Sequence, residues 1–295
     1  MTTGIKERFA EHVKSLQNQI TDEIKRIDES VEIKQDLWKR NDHIGADGGG
    51  GITRAFKGKI FENAGVNTSE VYGEMAPEFS RSINASDNNL WATGISLIIH
   101  PFNPRVPTVH ANFRMIQGGD KIWFGGGADL TPYYPHEEDF EYFHNIWKEC
   151  ITPYGHYDDW KKQCDEYFVN HHRESEMRGV GGFFYDHFNS GDLEKDFKMF
   201  TDISSHFIKS YFPLVEKRMN EAYTDEDVDF QLFRRGRYVE FNLLHDRGTT
   251  FGLKSGGRTE SILISLPARC KFEYGYQPQG VHQKMMEYYT PRQWV

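Results

Sequence analysis

The sequence predicts an α+β domain in which an antiparallel sheet packs against helices, and three observations carry that prediction. Ile5, Phe9, Val13, Leu16, Ile20, Ile24 and Ile27 recur every three or four residues, which is one apolar face of a long helix. Between Gly94 and Gln117 the period falls to two, the signature of strands. In the last third, YVEFNLLHD, TESILISLP and CKFEYGY read as three extended runs, joined through the glycine-rich DRGTTFGLKSGGR at hairpin spacing. No repeat, low-complexity tract or linker divides the 295 residues, so one domain is expected over 1–295, with 1–40 as an N-terminal helical segment.

The elements follow in order. After the first helix the pattern stops at Asn41, and the run from Gly45 to Gly51, without the Lys and Ser/Thr of a phosphate-binding loop, reads as a flexible loop at a cavity mouth. GISLIIH puts Ser96, Ile98 and His100 on one strand face. After the HPFNPRVP turn, Val109, Ala111, Phe113 and Met115 share one face and His110, Asn112 and Arg114 the other. Solvent-facing strands favour Lys, Glu and Thr, so this choice of Ser, His, Asn and Arg reads as a functional face. DKIWFGGGADLTPYY is a further strand that meets three glycines and then Asp129, where backbone can approach a ligand. Phe140, Phe143, Trp147 and Ile151 mark one helix, and Trp160, Cys164, Phe168 and His172 a second. RGVGGFFYD is a turn entering a short apolar run, and a Phe-rich helix from Asp192 to Tyr223 is expected to break near Pro213.

Composition bounds the function. Lysines and arginines number 35 against 44 acids, a net charge of −9, which excludes a general polyanion binder. Aromatics reach 15% although hydrophobic residues are only 38%, so burial relies on Phe, Tyr and Trp, whose flat faces also suit a ring-shaped ligand. Three cysteines without a CxxC pair fit a reducing compartment. The opening MTTGIKERFAEHVKSLQ has no apolar core, and no run reaches the roughly 18 apolar residues of a membrane span, so a cytoplasmic protein is expected.

Against that acidity, Arg234, Arg235, Arg237, Arg247 and Arg258 gather in one region and Arg114 adds to the polar strand face. Guanidinium groups bind carboxylates and phosphates bidentately and stay charged when desolvated, so such a group suits a multiply anionic small ligand; pairing with acids such as Glu240 and Asp246 is the other reading. Asp129 and Asp246, near arginines, are expected to stay ionised and to hold an N–H donor. His100, His110, His144 and His172 form a candidate divalent-metal set, and His136-x-Glu138 is the spacing of two legs of a non-haem iron site.

The segments GGGGITRAFKGKIFENAGVN, GISLIIHPFNPRVPTVHANFR, WFGGGADLTPYY, CDEYF, RGVGGFFYD, RRGRYVEFNLLHDRGTTFGLKSGGRTESILISLP and PRQWV resemble the oxygen-dependent coproporphyrinogen III oxidase family, from near the glycine run to the C-terminus. The resemblance implies oxidative decarboxylation of two propionates of coproporphyrinogen III to vinyl groups, giving protoporphyrinogen IX in haem biosynthesis, with O2 as co-substrate and CO2 and peroxide released. It implies a large flat antiparallel sheet flanked by helices on both sides, an active cavity between sheet and helices, and a homodimer with contacts from Phe241 to about Lys271. It further implies that Asp129 or Asp246 holds the pyrrole nitrogens, that Arg114, Arg247 and Arg258 clamp propionates, and that Ser96, Asn112, Gly256 and Gly257 contact substrate. His110 matches a proton-donor position, and His100, His110, His144 and His172 match proposed metal ligands; the family is described as needing no cofactor, and a metal-bound His110 could not readily donate the same proton. His187 stands where the family commonly has a second Asp, and Gln293 where an Asp is frequent.

Overall fold

The computed structural model describes residues 4–82, 86–254 and 257–295. Helix α1 spans Ile5–Ile27, and its predicted stripe is the buried one: Phe9, Val13, Leu16, Ile20 and Ile24 are at most 1% exposed. Each such side chain contributes about 1.5–3 kcal/mol of burial. Strands β1 (Glu32–Asn41), β2 (Asp47–Lys57) and β3 (Phe61–Glu74) follow, then the short α2 (Pro77–Ser82), β4 (Asn89–Pro101), β5 (Thr108–Gly118) and β6 (Lys121–Thr131). Helices α3 (Glu137–Ile151) and α4 (Tyr157–Tyr167), the two-residue strands β7 (Val169–Asn170) and β8 (Glu176–Met177), and β9 (Gly181–Phe188) come next. The chain closes with α5 (Leu193–Ser205), α6 (Phe207–Arg218), α7 (Asp225–Leu244), α8 (Arg247–Lys254), α9 (Thr259–Leu263) and α10 (Gly280–Met286).

Among the described residues β1–β6 and β9 form one antiparallel sheet of seven strands in the order β1-β2-β3-β4-β5-β6-β9. Its core face carries Val66, Ile95, Leu97, Ile99, Val109, Ala111, Phe113, Leu130 and Phe183, packed with α1 and with side chains of α3, α5 and α6 in a single cluster that runs from Phe9 to Tyr289. The opposite face is polar and meets the C-terminal helices: Thr53 Oγ1 and Asn67 Nδ2 bond to Ser261 at 2.6 and 2.9 Å, and Asn63 Nδ2 donates to the Leu266 carbonyl at 3.0 Å. Helices therefore lie on both sides.

Three local expectations change. Within the glycine run Gly45 lies in a turn, but Gly48, Gly49, Gly50 and Gly51 belong to the start of β2, where Gly51 lies under the Trp38 ring; a Cβ at Gly51 would come within 2.5 Å of Trp38 Cζ2. Residues 32–40, placed in the helical segment, form β1, an edge strand with charged and apolar residues interleaved. In the last third none of the three runs is a strand: YVEFNLLHD falls mostly in α7, TESILISLP starts with α9, and CKFEYGY is irregular. Phe230, Phe233, Arg234, Tyr238, Phe241 and Asn242 are buried at spacings of three and four, behind a capping box in which Thr224 and Asp227 bond to each other's backbone N–H. The helix expected to break near Pro213 breaks instead at His206. Pro213 stays inside α6, and the Lys209 carbonyl that it cannot bond accepts the Tyr142 hydroxyl at 2.9 Å.

Candidate active site

Antiparallel register turns the polar face into rows. One row reads Trp38, Gly51, Ser69, Gly94, Arg114 and Gly125 across β1–β6; the next reads Asp36, Thr53, Asn67, Ser96, Asn112, Gly127 and Phe184 across the whole sheet; the third holds Gly65, Ile98, His110, Asp129 and Gly182. Ser96, His110, Asn112 and Arg114 are thus neighbours, all half-buried. The glycines between them keep backbone in reach of anything lying on the sheet.

His110 and Asp129 are directly opposed, with Nδ1 and Oδ1 2.9 Å apart. Asp129 is 1% exposed and receives Arg178 bidentately, Nε to Oδ2 at 2.9 Å and Nη2 to Oδ1 at 2.7 Å. Burial alone would raise the Asp129 pKa, but the Arg178 charge and the His110 bond outweigh it and hold the carboxyl below its usual range. Arg178 is itself buried over the rings of Phe168, Tyr238 and Phe241, 4.2, 4.6 and 4.8 Å from their centroids, and donates to Asn242 Oδ1 at 2.8 Å. Asp129 thereby takes one nitrogen of His110 and leaves Nε2 for the open face.

Asp246 and Arg247 come to this face from the junction of α7 and α8. The Asp246 carboxylate accepts the Tyr167 hydroxyl at 2.8 Å, the Thr249 N–H at 2.8 Å and the Thr249 hydroxyl at 2.7 Å. Burial pushes its pKa up, yet Thr249, Tyr167 and the Arg178 field prevail and the group stays below the ordinary value. Tyr167 stacks on Phe184 at 4.4 Å and, with Phe168 and Phe241, gives the site an apolar wall. Arg247 lies over Tyr167 at 4.8 Å and reaches Asp186 at 3.7 Å. Arg114 reaches the same Asp186 at 2.8 Å while donating to Asn112 Oδ1 at 2.8 Å.

The other predicted residues are placed differently. Arg258 pairs with Asp36 at the far edge of the same face, four strand spacings or about 19 Å from the Arg114 strand. Gly257 packs against Gly252 and Ile262, and Gly256 falls outside the described residues. Arg234, Arg235 and Arg237 leave the anion-pocket reading: the first two are wholly buried, paired with Glu176 and Glu62, and Arg237 bonds Glu240 at 3.2 Å. They hold α7 in place. The four histidines proposed as metal ligands do not converge. His100 is buried between Thr108 and the Ser265 carbonyl, His144 between the Val180 carbonyl and Tyr157, and His172 bonds His245 and Glu240 at 2.7 and 2.9 Å. His136 faces Glu221 at 3.2 Å and Glu138 is taken by Arg218. Among the described residues no group of three or more His, Cys, Asp or Glu is arranged to hold a metal ion, so these donors do not fit one.

Sequence reasoning missed Arg178, Asp186, Tyr167 and Asn242 as site residues. Arg178 opens a glycine-rich turn, where a lone charge is a weak signal; only the register beside Asp129 gives it a role.

The polar face of the sheet thus presents guanidiniums, ionised aspartates and a histidine beside aromatic walls, a chemistry complementary to a flat, carboxylate-bearing molecule. The family model for coproporphyrinogen III oxidase matches residues 8–294, and the chain belongs to this family, the oxygen-dependent oxidoreductases of haem biosynthesis. Its reaction is the oxidative decarboxylation of two propionates of coproporphyrinogen III to vinyl groups, giving protoporphyrinogen IX.

Proposed function

We propose that the polar sheet face from β4 to β9 is the floor on which coproporphyrinogen III is bound and oxidised, roofed by α7–α9. The observation that carries this reading is the meeting of strand residues Ser96, His110, Asn112 and Arg114 with Asp246 and Arg247 from the helical side. Arg114 and Arg247 clamp propionates, and Arg258, with Gly256 and Gly257, serves the one directed toward β1. Ser96 and Asn112 supply hydrogen bonds beneath the ring. Asp246 holds the pyrrole N–H groups; its partial exposure supports it over Asp129, which is sealed behind His110 and Arg178.

In this mechanism Asp246 helps remove a pyrrole proton, and the electron-rich ring reacts directly with O2. The resulting peroxide takes a β-hydrogen as the propionate C–C bond breaks, and His110 Nε2 delivers the remaining proton. For each side chain one propionate, one O2 and one proton become one vinyl group, one CO2 and one H2O2. The protein supplies orientation and charge, with no metal or organic cofactor. Free thiols at Cys150, Cys164 and Cys270 suit action in the cytoplasm.

An oxygen electrode with coproporphyrinogen III tests the assignment. Exhaustively chelated enzyme should consume two O2 per macrocycle, whereas Asp246→Ala and Arg247→Ala should lose turnover with unchanged circular dichroism. Near-normal rates in either variant, or activity that vanishes on chelation and returns with a metal ion, would contradict it.

A further inference from the structure

The Asp186 carboxylate is surrounded by donors. Arg114 Nη2 is 2.8 Å away, Arg247 Nη2 3.7 Å, His187 Nδ1 3.6 Å, and the His187 backbone N–H donates to it at 3.1 Å. Gly125 makes the space: a Cβ there would fall 2.8 Å from the Arg114 Nε and 2.9 Å from Asp186 Oδ1. His187, in the left-handed region with φ 54°, is stacked on Trp123 and so kept beside the carboxylate. The two arginines differ in freedom. Arg114 is tied to Asn112 with 28% of its side chain exposed, whereas Arg247 is 64% exposed.

We propose that Asp186 occupies, in the free enzyme, the seat that a substrate carboxylate takes, and that binding exchanges one carboxylate for the other. The inference rests on the reading that Arg114 and Arg247 clamp propionates. A guanidinium fork matches one carboxylate at a time, and two carboxylates crowded on one seat repel. In the free state Asp186 keeps both guanidiniums extended over the sheet; on binding, Arg247 swings with the incoming propionate while Arg114 remains on Asn112. Asp186 thus sets affinity by competing for the anion seat, and discriminates against ligands with too few carboxylates to displace it.

The test is fluorescence titration with coproporphyrin III and with its tetra-amide, which has no carboxylate. Asp186→Asn keeps the shape and removes the competing charge; it should bind the tetra-acid about five-fold more tightly and leave tetra-amide affinity unchanged. Asp186→Ser provides a second variant of smaller size and should move in the same direction. Weaker or equal tetra-acid binding in both variants, with Arg114→Gln and Arg247→Gln also weak, would overturn the exchange and make Asp186 a positioning residue. If both arginine variants bind the tetra-acid like the parent, the clamp itself is wrong.

Discussion

At the scale of single residues, burial decides which titratable groups serve chemistry and which serve stability. His100 and His144 lie wholly inside the protein, and burial, aided by the Arg235 and Lys161 charges respectively, pushes each pKa down from 6.5 to about 3. The folded state keeps both neutral while the unfolded chain takes up protons below 6.5. Stability from this source is therefore fully present above that pH and falls as pH drops toward 3, by about 1.4 kcal/mol per pH unit for each histidine. Denaturant titrations at pH 8, 6 and 5 should show the decline, and His144→Gln should flatten it; an unchanged slope in that variant would exclude His144 as a source. The polar character of His100 was legible in the sequence, but its burial was not. His100 on β4 and His110 on β5 lie on the same sheet face, yet one is sealed by Ser265 and the other half-open, a difference set by the segment just after α9, 165 residues from His100.

At the scale of elements, alternation from Gly94 to Gln117 gave β4 and β5 with the correct faces, because one side of each strand meets a continuous core. The C-terminal third misled for an identifiable reason. YVEFNLLHD is rich in strand-favouring residues, but α7 is buried on several sides and its period is blurred by the fully buried Arg234 and Arg235. The missed clue was the Thr224 to Asp227 capping box. Thr224→Ala should cost about 1 kcal/mol of stability, read as a lowered denaturation midpoint with unchanged m. A null effect would mean that tertiary packing alone starts α7. The glycines from Gly48 to Gly51 carried the same ambiguity, since a run without side chains reads as a loop until a tryptophan is seen to need the room.

At the scale of the whole molecule, the sheet separates two tasks: its core face supplies stability through α1 and the aromatic cluster, and its polar face carries the proposed site. Helices α7 and α8 serve both. Arg234 and Arg235 anchor α7 from within, and its C-terminal end delivers Asp246 and Arg247. The end of α7 and the following α8 leave Leu243, Leu244 and Leu253 at 49%, 62% and 42% exposure, an apolar patch suited to the homodimer that the family resemblance implies. Light scattering should give twice the chain mass, and Leu244→Asp should shift it toward the single chain; a monomeric parent protein would remove the dimer. The placement of the substrate is best tested by a structure with coproporphyrin III bound. The ring should lie over Ser96 and Asn112 with carboxylates on Arg114 and Arg247; a ring seated instead in the 430 Å³ hollow between Arg237, Phe272 and Tyr274, with the polar face bare, would contradict the account.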